Sequence, residues 1–382
     1  ISIYLVKYTQ KSFILVCFKA SMKSNYKVWL EVSNGAVRKN IRTFRGLLDT
    51  KTKLYAVVKS NAYGHGLIQF AAIADKAGVD GFCVDSVVEG VKLRTQGITK
   101  PILVLGYTLP ALYVVAASNN ITVTISNKEA FTAWGKAKAK PQFHIKIDTG
   151  MHRQGFQIEE LPKIISLLEN SPVQGVYTHF AMAKNCEDRA FTQKQLTLFK
   201  EACGVFEKAG FDTLLRHSSA TGGTFLGKEF HLDLVRVGIG LYGIWPSQEL
   251  ESQLGAKIKL TPALRIHSVI SEIKEIKKGE CVGYDLTERI AHDTKLAIIP
   301  IGYWHGIPRA ASSVGFVWIN KHKAKIIGRV SMDMVVVDIT RIPCKVGMEI
   351  LINPLELAQS MDASPYEVIT RINPLIHKVI RR

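Results

Sequence analysis

The feature that most constrains the fold is a lysine that directly follows a buried apolar run. Residues 54–58, Leu-Tyr-Ala-Val-Val, have the length and composition of a buried parallel strand, and Lys59 comes next. A lysine there is costly to desolvate unless its charge is paired or its amine is used chemically. Tyr63, Gly64 and Gly66 follow, and such glycines let backbone amides approach an anion. The stretch is a candidate phosphate cradle beside an amine able to form a Schiff base, although a strand-terminal lysine alone is more often a surface residue.

Strand-like and helix-like segments alternate from Leu54 to Val237. This alternation predicts a parallel sheet, and eight units within about 200 residues predict an α/β fold, a (β/α)8 TIM-type barrel. The eight strand candidates are 54–58, 81–84, 102–105, 121–125, 143–147, 173–177, 213–216 and 234–237.

Polar residues stand at the ends of five of these strands. In a barrel of this kind the chemistry belongs at the C-terminal ends of the strands, so the pattern indicates one functional site there. The residues concerned are Lys59, Lys146 with Asp148, His179, Ser218 with Ser219, and Arg236 with Gly238.

The pattern changes after Trp245-Pro246, where helical crossovers give way to short alternating runs bounded by glycine and proline. We predict a barrel over residues 26–256 and a mainly-β C-terminal domain over 257–382, joined by the polar stretch 248–255. The first methionine is Met22, and residues 1–25 hold an apolar run that is too short for a good signal peptide. We expect them to be a non-native or disordered extension.

The formal charge of +18 would suit a polyanion partner, but the lysines and arginines are spread thinly. The chain has no zinc-finger spacing, no basic heptad helix and no aromatic RNA-binding pattern, which argues against nucleic acid. No stretch has the length of a membrane span. The six cysteines show neither close pairing nor metal-ligand spacing, so we expect a reducing compartment, the cytoplasm, and no metal.

Residues 56–66, Ala-Val-Val-Lys-Ser-Asn-Ala-Tyr-Gly-His-Gly, resemble the pyridoxal-phosphate (PLP) lysine signature of alanine racemases. Further motifs follow in that family's order, and the resemblance extends from about Tyr26 to the C-terminus. It implies a PLP-binding barrel followed by a β domain, in a head-to-tail homodimer whose active sites are each built from both subunits. The further motifs lie at 146–153, 177–181, 216–220, 235–243, 282–284, 299–303, 328–333 and 365–367.

The resemblance implies two catalytic bases. Lys59 matches the lysine that holds PLP and acts as one base, and Tyr284 matches the second base, which comes from the partner subunit. Racemisation removes a proton from one face of Cα and delivers one to the other, so a single base is a poor fit. A tyrosine with its ordinary pKa of about 10 is a weak base at neutral pH, so a cationic neighbourhood is needed. His179 and Arg236 match that network.

Arg236 also matches the arginine that faces the pyridine nitrogen of PLP. A guanidinium can only donate there, which leaves the ring nitrogen unprotonated and disfavours side reactions such as transamination. Lys146 matches a lysine often carbamylated in the family, and the resulting anion would orient Arg153 instead of repelling it. The other matches concern PLP and its phosphate (Tyr63, Ser219, Gly238, Ile239, Tyr366) and the substrate or its entrance (Arg153, Met332, Tyr303, Arg309, Asp333).

The implied activity is PLP-dependent interconversion of L-alanine and D-alanine, which supplies D-alanine for peptidoglycan. Ser218, His152 and Trp304-His305 depart from residues common in the family, and the last two leave the substrate's side-chain preference open. The alternatives are a serine or broad-specificity racemase and a non-catalytic PLP-binding protein, which tends to be a lone barrel. A decarboxylase fits less well because it would want an acidic residue in place of Arg236.

Overall fold

The computed structural model describes residues 25–168 and 171–381, together with two short paired strands, Leu5–Tyr8 and Ser12–Leu15. Apart from those strands and Asn25, the predicted extension 1–25 lies outside the described residues, as does Cys17.

Eight parallel strands close into a barrel, which confirms the predicted fold. They form two four-stranded sheets that hydrogen bonds join at both seams. At one seam Val104 N donates to Thr122 O (2.9 Å), and at the other Asp233 N donates to Arg216 O (3.1 Å). The seventh strand begins two residues after the start of the predicted range 213–216 and ends one residue after its end. The strands are Lys53–Val57, Gly81–Val84, Ile102–Val104, Val123–Ile125, Phe143–Lys146, Val173–Tyr177, Leu215–His217 and Leu234–Val237.

Helices cover the outside of the barrel with their apolar faces turned inward. Asn34–Leu47 buries Val37, Ile41 and Phe44, which recur at helical spacing. The Ser33 hydroxyl accepts a hydrogen bond from Ala36 N (3.2 Å) and so caps the N-terminus of this helix. The α-helices of this part of the chain are Asn34–Leu47, Leu67–Lys76, Val87–Thr95, Tyr113–Ser118, Lys128–Gly135, Leu161–Ile165, Ala190–Lys208, Thr221–Leu226 and Gln248–Leu254, and Lys59–Tyr63 forms a separate left-handed turn.

The second domain is mainly β, as the alternating runs predicted, and it is built on a nine-stranded sheet. One strand comes from the other end of the chain: Val28–Ser33 pairs antiparallel with Leu264–Val269 and parallel with His377–Arg381. The sequence-based division counted it with the barrel, because alternation reveals a strand but not its partner. The remaining elements are Glu272–Ile276, Thr294–Ile299, Phe316–Ile319, His322–Ile327, Val335–Asp338 and Glu349–Ile352 in the sheet, the pair Cys281–Val282 and Glu288–Arg289, and the helices Pro354–Ser360 and Pro365–Thr370.

The predicted linker is a helix. Gln248–Leu254 begins after Ser247, whose hydroxyl accepts from Leu250 N (3.2 Å), and it buries Leu250. One cap and one buried apolar residue stabilise this short polar helix, a signal too small to stand out from the sequence.

None of the helices in the described part of the chain combines the length and apolar character needed to cross a bilayer. Nor do the described residues include a group of three or more His, Cys, Asp or Glu side chains placed to hold a metal ion.

Candidate active site

A pocket of about 450 Å³ opens at the C-terminal ends of the barrel strands. Four of the five polar strand ends predicted from the sequence contribute to its lining, through Lys59, Lys146, His179 and Arg236. The end of the seventh strand contributes Ala220 and the residues after it. The barrel therefore brings together side chains that are far apart in the sequence.

Lys59 is followed by a turn of left-handed helix. Ser60, Asn61, Ala62 and Tyr63 have φ values of 55°, 56°, 51° and 50°. Each such residue other than glycine costs roughly 1–2 kcal/mol, so the surrounding structure must stabilise the turn. Ala62 N donates to Val58 O (2.8 Å), and Asn61 N donates to a Glu89 carboxylate oxygen (3.2 Å).

The glycines of this stretch have a different role from the one predicted. Gly64 has a φ of 83°, and a Cβ on it would lie 2.1 Å from Ile369 O in the second domain. Gly66 has a φ of 97°, and a Cβ on it would lie 2.6 Å from the Lys378 side chain. Neither lines the pocket, so they permit the turn and the close approach of the second domain and do not cradle an anion.

Cationic side chains dominate the pocket. Lys59, Lys146, Arg153 and Arg236 all line it, and the Lys59 Nζ lies 3.7 Å from an Asp85 carboxylate oxygen. Burial, then the charges of Arg153, Arg236 and Lys59, lower the pKa of Lys146 to about 8. The Lys146 Nζ donates to the Gln154 side-chain oxygen (3.3 Å). Such a pocket favours an anionic ligand.

Arg236 is held rigidly in the barrel. It is almost fully buried, and its Nη2 donates to Thr178 O (2.8 Å) and Ser218 O (3.1 Å). Its Nη1 donates to His217 Nδ1, and its guanidinium lies 4.9 Å from the centre of the Tyr177 ring. Burial lowers its pKa, but a guanidinium stays protonated in proteins. These hydrogen bonds therefore fix the position and orientation of the Arg236 guanidinium at the pocket.

Sequence reasoning missed the two histidines behind Arg236. The Nε2 of His217 lies 2.8 Å from the Nδ1 of His144, and both rings are buried. A guanidinium only donates, so His217 accepts at Nδ1 and carries its hydrogen on Nε2. His217 then donates to His144 Nδ1, which leaves the hydrogen of His144 on Nε2. Burial, followed by the charge of Arg236, lowers the pKa of both rings, and that of His144 falls to about 3.

His179 is a neutral donor or acceptor in this pocket. Burial, then Arg236, Arg153 and the two lysines, lower its pKa to about 3. It cannot add a further positive charge near neutral pH, but its ring nitrogens remain available for hydrogen bonds.

Near the end of the eighth strand, the pocket is lined by tyrosine hydroxyl groups and by closely packed backbone. Tyr63, Gly238, Ile239 and Tyr366 all line it, as predicted for an anion site. Burial raises the pKa of Tyr63 to about 12, so its hydroxyl stays protonated and can donate. A Cβ on Gly238 would lie 2.8 Å from the Tyr63 Oη, so a side chain there would displace the hydroxyl.

The seventh strand contributes differently from the prediction. The Ser219 hydroxyl is fully buried and donates to Phe230 O (2.7 Å), and Ser219 is absent from the pocket lining. Thr221, Gly222 and Gly223 line the pocket instead, at the first turn of a helix, where backbone N–H groups lack helical partners. The sequence signals at this end, Ser218 with Ser219, did not indicate these residues. The role of Ser219 at an anion site stays a prediction.

The loop that carries Arg153 is organised by one carboxylate. Asp148 Oδ1 accepts from the backbone N–H groups of Gly150, Met151 and His152, each at 3.0 Å. His152 has a φ of 52°, a left-handed conformation that glycine adopts more readily than histidine.

Five of the predicted residues lie away from this pocket. They belong to the second domain and do not line it, and Tyr284 is 68% exposed; the five are Tyr284, Tyr303, Arg309, Met332 and Asp333. Main-chain bonds from Tyr303 N to Ser331 O and from Trp304 N to Met332 O, both 3.0 Å, tie two of these segments together. These side chains are presented to the outside of the chain.

The sequence matches the family model described as "Alanine racemase, N-terminal domain" over residues 32–246 and "Alanine racemase, C-terminal domain" over 263–380. A protein of Leptospira interrogans serogroup Icterohaemorrhagiae serovar copenhageni named alanine racemase is 33% identical over 379 residues, which covers 94% of this chain and 97% of that protein. The structure is similar to that of alanine racemase from Bacillus anthracis with bound L-Ala-P (TM-score 0.86, 31% identity, 93% and 95% of the two chains covered). It is also similar to alanine racemase from Bartonella henselae with covalently bound pyridoxal phosphate (TM-score 0.83, 26% identity, 93% and 100% covered).

Proposed function

The chain belongs to the alanine racemase family, and from this membership and the geometry of the pocket we propose that it is a PLP-dependent enzyme that interconverts L-alanine and D-alanine. The observation that carries the proposal is the shared pocket of Lys59 and Arg236, an amine and a fixed cation that adjacent strands, the first and the eighth, bring together.

The residues present fit PLP. Lys59 supplies the amine that would carry the cofactor, and Arg236 supplies a donor that cannot give up its proton to the ring nitrogen. The buried hydroxyl of Tyr63, Tyr366 and the backbone near Gly238 suit the phosphate. When bound, PLP withdraws electrons from the amino acid's Cα and makes its proton removable.

Two bases on opposite faces of Cα would then complete the racemisation. Lys59 would hold or accept the proton at its Nζ on one face. We assign the other face to the hydroxyl of Tyr284 from a second copy of the chain, because Tyr284 is exposed and absent from the pocket of its own chain. This assignment makes the enzyme a homodimer with shared active sites. Tyr303 and Met332 from the same exposed surface would contact the substrate there.

Arg153 would bind the substrate carboxylate, and the carboxylate of Asp148 keeps its loop in place. Lys146 is the candidate for carbamylation. Its lowered pKa of about 8 gives it the neutral amine fraction that reaction with carbon dioxide requires. A carbamate would convert a cation that repels Arg153 into an anion that orients it. If Lys146→Ala loses activity and neither short carboxylates nor chloride restore any of it, the carbamate proposal is refuted.

The cellular setting follows from the reaction. We propose that the enzyme works in the cytoplasm and supplies D-alanine for peptidoglycan. The five cysteines in the described part of the chain are all free thiols, which supports a reducing compartment.

A chiral assay of the purified protein tests the activity and its breadth. Alanine is expected to racemise faster than serine, lysine or arginine, and faster turnover of serine would favour the broader racemase. Loss of the absorbance of enzyme-bound PLP in Lys59→Ala would confirm the attachment residue.

Tyr284→Phe tests the two-base assignment. The variant should keep the cofactor absorbance and lose most turnover, because only the proton-carrying hydroxyl is removed. Exchange of the Cα proton in deuterated water, followed from L-alanine and D-alanine separately, shows which face is affected. Unchanged turnover in both directions would refute the role of Tyr284.

A further inference from the structure

A second cavity, of about 410 Å³, lies at the opposite end of the barrel, where the strands begin. Lys53, Ile102 and Val173, the first residues of three strands, line it together with Tyr55 and His144. Barrel enzymes conduct their chemistry at the other end, and the proposed racemisation uses no residue of this cavity.

Two buried side chains present unused polar atoms to this cavity. Tyr55 is 4% exposed and His144 is 3% exposed. Within the part of the chain that the structure describes, neither the Tyr55 Oη nor the His144 Nε2 has a hydrogen-bond partner, and both residues line the cavity. Neither atom is among the fully enclosed polar atoms that lack a partner, so both are accessible from the cavity. The missing partner must therefore come from the cavity itself.

Both groups are hydrogen-bond donors. Burial, followed by Cys83 and Asp80, raises the pKa of Tyr55, so its hydroxyl keeps its proton. Arg236 donates to His217, and His217 donates to the Nδ1 of His144. The ring hydrogen of His144 is therefore on Nε2, on the side of the ring away from His217. That hydrogen is available to an acceptor in the cavity.

The charge at this end of the barrel is positive. Lys53 lines the cavity, whereas no aspartate or glutamate does. Two nearby carboxylates are already engaged: Asp80 accepts from Arg45 Nη2 (2.7 Å), and Asp233 accepts from Arg216 Nε (2.9 Å). The cavity thus combines one ammonium group with several neutral donors, which is the chemistry of an oxyanion site.

We propose that this cavity binds a small oxyanion, such as inorganic phosphate or a short carboxylate, between the Lys53 ammonium, the Tyr55 hydroxyl and the His144 Nε2–H, and that its occupancy is coupled to Arg236 through His217. An anion that accepts from His144 polarises the chain of donors and increases the negative charge on the His217 Nδ1. His217 then holds the guanidinium more strongly. Since coupling is reciprocal, a ligand that engages Arg236 also changes the affinity for the anion.

The binding test uses the PLP-loaded enzyme, in which the cofactor occupies the phosphate site at the other end. Titration calorimetry with inorganic phosphate at constant ionic strength should show saturable binding, and a parallel titration with formate distinguishes a general oxyanion site from a phosphate site. We expect Lys53→Gln and Tyr55→Phe each to weaken phosphate binding about fivefold or more. Lys128→Gln removes the same charge from an exposed helix outside the cavity and should leave the affinity unchanged.

Absence of saturable binding of either anion would overturn the proposal. Equal weakening by Lys53→Gln and Lys128→Gln would also overturn it, because general charge attraction would then explain the binding. Lys53 is exposed, so its variant remains informative even if Tyr55→Phe fails to fold.

The coupling to Arg236 rests on the proposed function and is tested separately. Saturating phosphate should shift the absorbance of bound PLP in the wild type, and the shift should be smaller in Tyr55→Phe at equal phosphate. An unchanged spectrum at saturation would refute the coupling. Calorimetry detects the anion without reference to racemisation, so failure of the site and failure of the activity are distinguishable.

Discussion

Replacing Arg236 with lysine should destabilise the barrel although the positive charge is retained. The two terminal nitrogens of Arg236 serve three acceptors: His217 Nδ1, Thr178 O and Ser218 O. A lysine has one nitrogen, which cannot occupy both positions of the fork. One or two buried acceptors are left unpaired, each at about 1–3 kcal/mol, so we expect a loss of about 2–4 kcal/mol.

Thermal and urea unfolding of the cofactor-free protein measure this loss without reference to catalysis. If the barrel unfolds as a unit, the midpoint temperature should fall by about 5–10 °C. Arg153→Lys is the matched control, because Arg153 lines the same pocket but has an exposed side chain, and its variant should unfold like the wild type. Equal midpoints for Arg236→Lys and Arg153→Lys would refute the conclusion that the fork holds three acceptors.

Two further predictions concern the neighbouring loop and lysine. His152→Gly should stabilise the folded protein by about 0.5–1 kcal/mol. Glycine relieves the strain of the φ of 52°, and the larger conformational entropy of its unfolded state offsets part of that gain. His152→Ala keeps the strain and should show no gain in urea unfolding. Folding lowers the pKa of Lys146 from 10.5 to about 8. At pH values between these two, the unfolded chain binds a proton that the folded chain has lost, so the free energy of unfolding rises with pH. Relative to Lys146→Met, the wild type should therefore gain stability across that range in buffers free of carbon dioxide, and a constant difference would contradict the lowered pKa.

The barrel was predictable because its signals are local. Each strand is a short apolar run followed by a crossover, and the polar residue at its end can be identified without knowledge of the neighbours. That rule groups Lys59, Lys146, His179 and Arg236, and all four line one pocket. Tyr284 could be selected only through the family resemblance, since by itself it is an exposed tyrosine.

The missed features depend on contacts between distant segments. His144 lies inside an apolar strand, and its significance arises from a bond to His217, 73 residues away. The role of Thr221 likewise depends on the eighth strand, because its hydroxyl accepts from the backbone N–H groups of Gly238 (3.2 Å) and Gly240 (3.3 Å). Ser219, by contrast, stood in a matching motif, but its hydroxyl is engaged by Phe230 O.

The placement of Val28–Ser33 has a consequence for how the protein is made. This strand leaves the ribosome before the whole barrel, yet its two neighbours in the sheet are Leu264–Val269 and His377–Arg381. At synthesis rates of about 5–20 residues per second, its second edge remains uncovered for roughly 20–70 s after it is made. The barrel can close in that interval, whereas the sheet is completed only when the last strand arrives. Nascent chains stalled before residue 377 should therefore expose that edge, where pairing with another chain is the main hazard.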